Sequence, residues 1–480
     1  MIFSSPIFIF GFLPLALALY YIVPRSIKNI LLLSLSLLFY AWGEVFYVAV
    51  MLASIALNYV VGRLIFSAID KPKRSKVHLL IGVGLNLLLL VSFKYANFIA
   101  DNINGVLSNL DMAPIDLAPV HLPLGISFFT FQAISYIVDV YRKQVPAQRS
   151  LFNLALYISL FPQLIAGPIV RYKDVADQIL HRVHSVDLFT NGVRRFIYGM
   201  AKKVLIANAM GEVADNIFAL TGGDLTMPLA WIGILAYSLQ IYFDFSGYSD
   251  MAIGLGMMFG FKFLENFNYP YISRSIQEFW RRWHISLSTW FRDYVYIALG
   301  GNRVSPGRVY VNLLVVFILT GFWHGASWNF LVWGLFHGAF LVIERLGFGK
   351  VLSAAWRPVS HIYVLFTVMI GWVFFRANTL GEGLTYIKTM FDVSKIATSD
   401  LQFAAILSKE AGYIFIIGLI LSIPVFPAMR SFLQSKMARD PVKAVARYEV
   451  AEILLLVCLF SVCILKISAS TYNPFIYFRF

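Results

Sequence analysis

The sequence predicts an all-α, multi-pass membrane protein, and three observations carry that prediction. Of the 480 residues, 59% are hydrophobic and 13% charged, with a mean hydropathy of +0.73, whereas a soluble domain carries about 25% charged residues. Apolar runs of the length needed to cross roughly 30 Å of hydrocarbon recur along the chain. The net charge of +14 resides in short loops between those runs. That is the positive-inside pattern, and no continuous basic face offers itself to a nucleic acid.

The first runs are residues 7–23, 30–42, 46–65 and 78–98. Ala16-Leu17-Ala18 resembles a signal-peptidase site, but no Lys or Arg precedes it and the apolar run continues beyond. A retained first helix is therefore expected. Arg25 and Lys28, then Lys71, Lys73, Arg74 and Lys76, mark cytoplasmic loops. After Lys94 no Lys or Arg occurs before Arg142, while Asp101, Asp111 and Asp116 appear, so the loop 96–122 and the N-terminus are expected outside.

Residues 122–140 return to Arg142, Lys143 and Arg149. The run 151–170 is followed by Arg171 and Lys173, so both its ends read as cytoplasmic. Phe161-Pro162-Gln163 and Gly167-Pro168 interrupt it, and a re-entrant segment explains both features if the protein satisfies the broken backbone. Residues 204–220 are expected to lead out and 228–245 to lead back. Asp244 and Asp250 lie in apolar sequence there, a placement that implies function or an ion pair, with Arg281 or Arg282 as candidate partners. Gly254, Gly256 and Gly260 lack the spacing and the strand–helix context of a dinucleotide fingerprint.

Residues 309–344 are expected to form a hairpin or broken helix turning at 321–327. Residues 361–375 lead out, 377–410 stay external, and 412–426 lead in to a loop with Arg430, Lys436, Arg439, Lys443 and Arg447. Residues 450–465 then lead out. The total is about eleven membrane segments, re-entrant ones included, with no separate soluble domain. Cys458 and Cys463, five residues apart, indicate neither a disulfide nor a metal site.

Chemistry concentrates in two stretches. In residues 277–303, QEFWRRWHISLSTWFRDYVYIALGGNR, a continuous helix would align Trp280, His284, Leu287, Phe291 and Tyr294 on one face. Gln277, Arg281, Ser288 and Arg292 would form a polar stripe beside them. In residues 321–328, GFWHGASW, His324 stands among small residues within an apolar run. A neutral imidazole accepts a proton at physiological pH, so His324 and His284 are the candidate catalytic pair. Arg281, Arg282, Arg292, Trp280, Asp244 and Trp328 are the candidate substrate-binding residues. For the arginines, positive-inside anchoring is the competing reading. His337 and His361 read as structural, and His78, His121, His181 and His184 as solvated. No nucleophile elbow and no metal-ligand spacing occurs, which favours direct attack by a hydroxyl deprotonated at His324.

With these residues in view, the chain resembles the membrane-bound O-acyltransferase superfamily. The motifs are the two stretches above together with LPLGISFFTFQAISYIVDVYR, FPQLIAGPIVRY and YFDFSGYSDMAIGLG. Within it, the resemblance is to the bacterial branch of alginate and peptidoglycan O-acetyltransferases, over a core of about residues 1–376, with 377–480 similar in hydropathy only. A single integral membrane domain over 1–480 follows as the expectation. The resemblance implies a fold thinned at its centre, where cytoplasmic and external cavities meet near His324, with His284 as the second histidine of the family.

It further implies transfer of an acetyl group from a cytosolic thioester such as acetyl-CoA, without a bound cofactor or metal, at the bacterial inner membrane. The acceptor would be an extracytoplasmic polysaccharide such as alginate, and a periplasmic serine-hydrolase-like partner would complete the transfer. The phosphates of a nucleotide-bearing donor match Arg281, Arg282 and Arg292. Peptidoglycan or other exopolysaccharide acetylation, D-alanyl transfer to teichoic acid and a transporter or export component are the alternatives.

Overall fold

In lipid a backbone must satisfy its own hydrogen bonds, and most of the apolar runs of the sequence accordingly become helix. The computed structural model describes all residues except 166, 221, 399–402, 404–405, 426, 430, 432–440, 470–471, 474–475 and 477–480, and only the backbone of 441–447. The expected cytoplasmic residues Arg430, Lys436 and Arg439, and the side chains of Lys443 and Arg447, lie outside that description. No strand occurs among the described residues. Among the described residues, seven helices are long and apolar enough to cross a membrane: Val48–Ser67, Pro72–Lys94, Met227–Met258, Pro306–His324, Trp328–Ala354, Arg357–Arg376 and Tyr448–Ala469. Three shorter apolar ones, Ile7–Ile22, Lys28–Ala41 and Ile126–Tyr141, accompany them.

The 32-residue helix Met227–Met258 is the most enclosed of the seven. Beside it run Val186–Ala201 and, after a π turn, Asn208–Phe218. Their contact explains the glycines that gave no nucleotide motif. A Cβ on Gly254 would stand 2.6 Å from the Gly192 carbonyl oxygen, and one on Gly199 would stand 2.5 Å from that of Gly247. Backbone rests on backbone at both levels.

Polar side chains tie the helices together at depth. Asn58 and Asn86 exchange amide hydrogen bonds of 2.9 Å in both directions between two spans. Asp244 pairs with Lys203 at 2.7 Å, both side chains being almost fully enclosed, and Asp250 pairs with Arg195 at 2.8 Å and Lys202 at 2.7 Å. The expected partners of Asp244, Arg281 and Arg282, are not the ones used. The segment on which Lys202 and Lys203 stand packs directly along the helix of the two aspartates, and it supplies the ammonium groups.

The run 151–170 is broken as its prolines require. Helix Leu151–Ser159 stops at Leu160, and a four-residue helix, Phe161–Leu164, follows. Interior side chains meet the freed backbone groups: Ser36 Oγ accepts from the Phe161 N–H at 3.2 Å, Gln163 Nε2 donates to the Tyr157 carbonyl at 2.5 Å, and Tyr157 donates to the Val170 carbonyl at 2.9 Å.

Residues 277–303 do not form one helix. Helix Ile276–Arg282 ends at Trp283, His284 adopts a left-handed conformation at φ 43°, and Ile285–Phe291 begins anew before a π turn at Arg292–Tyr296. The sidedness survives the break. Trp280, His284, Leu287, Phe291 and Tyr294 are all buried, while Gln277, Arg281 and Arg292 are exposed.

Candidate active site

His324 is the last residue of Pro306–His324, and the chain turns through 325–327 into Trp328–Ile343. A turn at 321–327 is expected from the small residues; the helix in fact runs through His324, and the turn is confined to 325–327. The two arms touch through glycine: a Cβ on Gly321 would lie 2.2 Å from the Phe330 carbonyl oxygen, and one on Gly334 would lie 2.2 Å from that of Phe317. A helix ending at depth presents its final side chain to the interior rather than to solvent.

That interior is aromatic. The His324 ring centroid lies 4.9 Å from Trp323, 5.0 Å from Phe375 and 5.1 Å from Trp333, edge-on in each case. Trp323 also meets the His284 ring at 5.9 Å, so one indole bridges the two histidines that stand 40 residues apart in sequence.

His284 is positioned by its strained turn and by Asn266. The Ser286 N–H and Oγ–H donate to Asn266 Oδ1 at 3.2 and 2.9 Å, and the His284 Nδ1 lies 3.1 Å from the same oxygen. A backbone N–H can only donate, so the amide orientation is fixed and the atom facing Nδ1 is an acceptor. Nδ1 therefore carries the proton and Nε2 the lone pair. His284 belongs to none of the seven spans, and burial, with no carboxylate beside it, pushes its imidazole below the usual histidine range, to about 3. The ring is neutral.

Cavities adjoin His324. One of about 240 Å³ is lined by His324, Trp323, Lys94, Ser127, Glu44 and His121, among others. A small gap of about 10 Å³ joins His324 to Phe245, Trp283, Trp372 and Ile476. A larger space of about 480 Å³ shares Lys94 and Leu122 with the first and Phe375 and Ile476 with the second. An imidazole in an aromatic box, bordered by a cavity that Lys94, Glu44 and His121 also line, suits removal of a proton from a hydroxyl.

The six expected substrate-binding residues stand outside these linings. Trp280 is buried against His337 at 5.2 Å and Trp333 at 5.6 Å. Asp244 is held by Lys203 and accepts from the Ile476 N–H at 2.9 Å, one residue behind the small gap. Trp328 is 54% exposed and donates to Asn102 at 3.1 Å. Arg282 pairs with Glu278 at 2.9 Å and Arg292 with Asp293 at 2.8 Å, while Arg281 is exposed and makes no ion pair among the described residues. No group of three or more His, Cys, Asp or Glu suited to a metal ion occurs among the described residues.

Sequence reasoning missed Asn266, Trp323, Phe375 and Lys94. Lys94 alone carried a signal: it is an ionisable residue in an apolar run, at the end away from the basic loop.

The sequence model of the MBOAT, membrane-bound O-acyltransferase family, matches residues 45–380. The chain is 44% identical to a probable alginate O-acetylase of Pseudomonas putida and 42% identical to that of Azotobacter vinelandii, over the full length of both partners in each case. It is 38% identical to a peptidoglycan O-acetyltransferase of Helicobacter pylori, over 86% of this chain and 82% of that one.

Proposed function

The chain belongs to the membrane-bound O-acyltransferase family and is a multi-pass O-acyltransferase, and on that premise we propose that it acetylates an extracytoplasmic polysaccharide, alginate first among candidates, using acetyl-CoA from the cytosol and His324 as general base. The observation that carries this reading is the position of His324, at the end of a helix, in an aromatic box, and on the wall of the 240 Å³ cavity.

In the proposed reaction a hydroxyl enters that cavity and loses its proton to the neutral imidazole as its oxygen attacks the thioester carbonyl. The tetrahedral adduct collapses with cleavage of the C–S bond, and the imidazolium returns the proton to the departing thiolate. The products are an O-acetyl ester and a free thiol. The hydroxyl belongs to the sugar or to the serine of a periplasmic serine-hydrolase-like partner that completes the transfer. His284 lines none of the three cavities and reaches His324 through Trp323, and in this reading it orients the site from behind that indole. The inner membrane is the proposed location, with the donor approaching from the face that carries Arg281. Full-length similarity to probable alginate O-acetylases, against 86% coverage for the peptidoglycan O-acetyltransferase, supports alginate as the first acceptor to test.

The test is O-acetyl content of envelope polysaccharides, by ester-sensitive NMR or mass spectrometry, in cells carrying wild-type protein or His324→Ala at matched membrane abundance. Loss of acetyl ester in the variant is the expected result, and the polymer that loses it names the acceptor. Unchanged acetylation in a strain without a redundant enzyme overturns the reading.

A further inference from the structure

Helix Pro306–His324 ends inside the protein, where its last carbonyl oxygens need partners other than water. Two consecutive residues of one neighbouring chain segment supply them. The Tyr95 hydroxyl donates to the Phe322 carbonyl at 2.5 Å, and Lys94 Nζ donates to the Trp323 carbonyl at 2.5 Å and the His324 carbonyl at 3.2 Å. A longer contact of 3.4 Å joins Nζ to Ser127 Oγ, and the ammonium lies 5.9 Å from the Trp323 ring. Lys94 makes no ion pair with any carboxylate among the described residues.

A half-buried ammonium without a carboxylate is an unfavourable arrangement for stability. Here it gains two other things. Its charge sits against the negative end of a helix dipole, and its donors fix the carbonyl of the very residue whose side chain forms the cavity wall. The same Nζ borders both the 240 Å³ and the 480 Å³ spaces. A methyl-terminated side chain of equal length would fill the same volume, yet it would leave two carbonyls without partners and the final helical turn free to unwind.

We infer that Lys94 is a positioning residue for acyl transfer: its ammonium clamps the Trp323 and His324 carbonyls and so fixes the His324 imidazole at the junction of the cavities. Lys94 touches backbone, and it acts on the reaction through His324. The inference rests on the reading of His324 as general base, and its test is arranged to separate the two.

Purified full-length protein in lipid nanodiscs is assayed for acetyl-CoA-dependent acetyl-ester formation, with wild type, Lys94→Met, Lys94→Arg and His324→Ala side by side. Loosening the base by a fraction of its own size lowers the rate of the chemical step without altering donor binding. Lys94→Met is therefore expected to lose about 10- to 100-fold in kcat while KM for acetyl-CoA stays within about twofold. Lys94→Arg keeps the charge and two donors, and it is expected to recover most of that loss. Thermal unfolding of each variant is followed in parallel, since a merely structural lysine would lower the amount of folded protein and leave kcat per folded molecule intact. An unchanged kcat in Lys94→Met, an equal fall in the Met and Arg variants, or a loss accounted for by unfolding overturns the inference. Full activity in His324→Ala sinks the general-base reading itself, whereas an inactive His324→Ala beside an unimpaired Lys94→Met sinks only the role of Lys94.

Discussion

His284 donates from Nδ1 to the side-chain oxygen of Asn266 at 3.1 Å, and that bond decides which ring nitrogen holds the lone pair. Asn266 Oδ1 also accepts twice from Ser286, so the asparagine locks the turn and the tautomer together. Replacing it with alanine leaves the ring free to rotate and to exchange tautomers. Asn266→Ala is expected to lower kcat by about 10-fold, an effect typical of removing the group that orients a functional histidine. His284→Ala is expected to cost more than that and less than His324→Ala. Acetyl-transfer rates at matched protein level check the order, and equal, total loss from both histidine variants would count against it.

How much of this was legible in the sequence depends on the range of the interaction. Apolar runs announced the spans, Pro162 announced the break after Ser159, and the glycines of 321–327 announced the turn that carries His324, because each is a local property of the chain. A continuous helix through residues 277–303 is not formed: the chain leaves helical geometry at Trp283 and His284 and again after Tyr296. His284 is left-handed without being glycine, a conformation that non-glycine residues hold at a cost of order 1–3 kcal/mol and that no periodicity reports. The aromatic face is nevertheless buried and Gln277, Arg281 and Arg292 of the polar stripe are exposed, with Ser288 half-buried, since hydrophobicity sorts the side chains whether or not the helix is continuous. The partners of the site were beyond reach: Asn266, Lys94 and Phe375 meet the histidines only through tertiary packing, and Asp244 chose Lys203 over Arg281 and Arg282 for the same reason.

The hairpin that delivers His324 depends on two glycines in contact with opposing backbone. Any side chain at Gly334 must push the Phe317 carbonyl away from a starting distance of 2.2 Å to Cβ. Overpacking of a tight core costs about 1–3 kcal/mol, and a backbone neighbour cannot rotate away as a side chain can. Gly334→Val is therefore expected to lower both thermal stability and acetylation, whereas Gly307→Ala, which meets nothing within 4 Å, is expected to leave both unchanged. Melting temperatures in detergent compare the two.

The pair formed by Lys203 and Asp244 is a second place where one change should matter more than two. Lys203→Met leaves a carboxylate enclosed without its counter-charge, a loss of about 3–5 kcal/mol for buried pairs generally. The double variant Lys203→Met with Asp244→Leu removes both charges and is expected to regain much of that stability, the residue of the deficit being the Ile476 N–H that Asp244 accepts. A double variant no more stable than Lys203→Met would show that Asp244 is held by something other than this lysine. Unfolding midpoints of the four members of the cycle measure the coupling directly.

The three arginines beside His284 separate into two kinds. Arg282 and Arg292 are each committed to a carboxylate, whereas Arg281 is exposed and has none among the described residues. A donor bearing phosphates would meet Arg281 first, since at Arg282 and Arg292 a neighbouring carboxylate repels an incoming anion and offsets part of the guanidinium charge. Arg281→Ala is thus expected to raise KM for acetyl-CoA by about 5- to 10-fold, close to 1–1.4 kcal/mol, with kcat kept. Arg282→Ala and Arg292→Ala are expected to change it less. If all three arginines only anchor the chain at the membrane surface, none of the substitutions will move KM, and the loss will fall instead on the amount of protein inserted. Steady-state kinetics on vesicles normalised for inserted protein distinguishes donor recognition from anchoring.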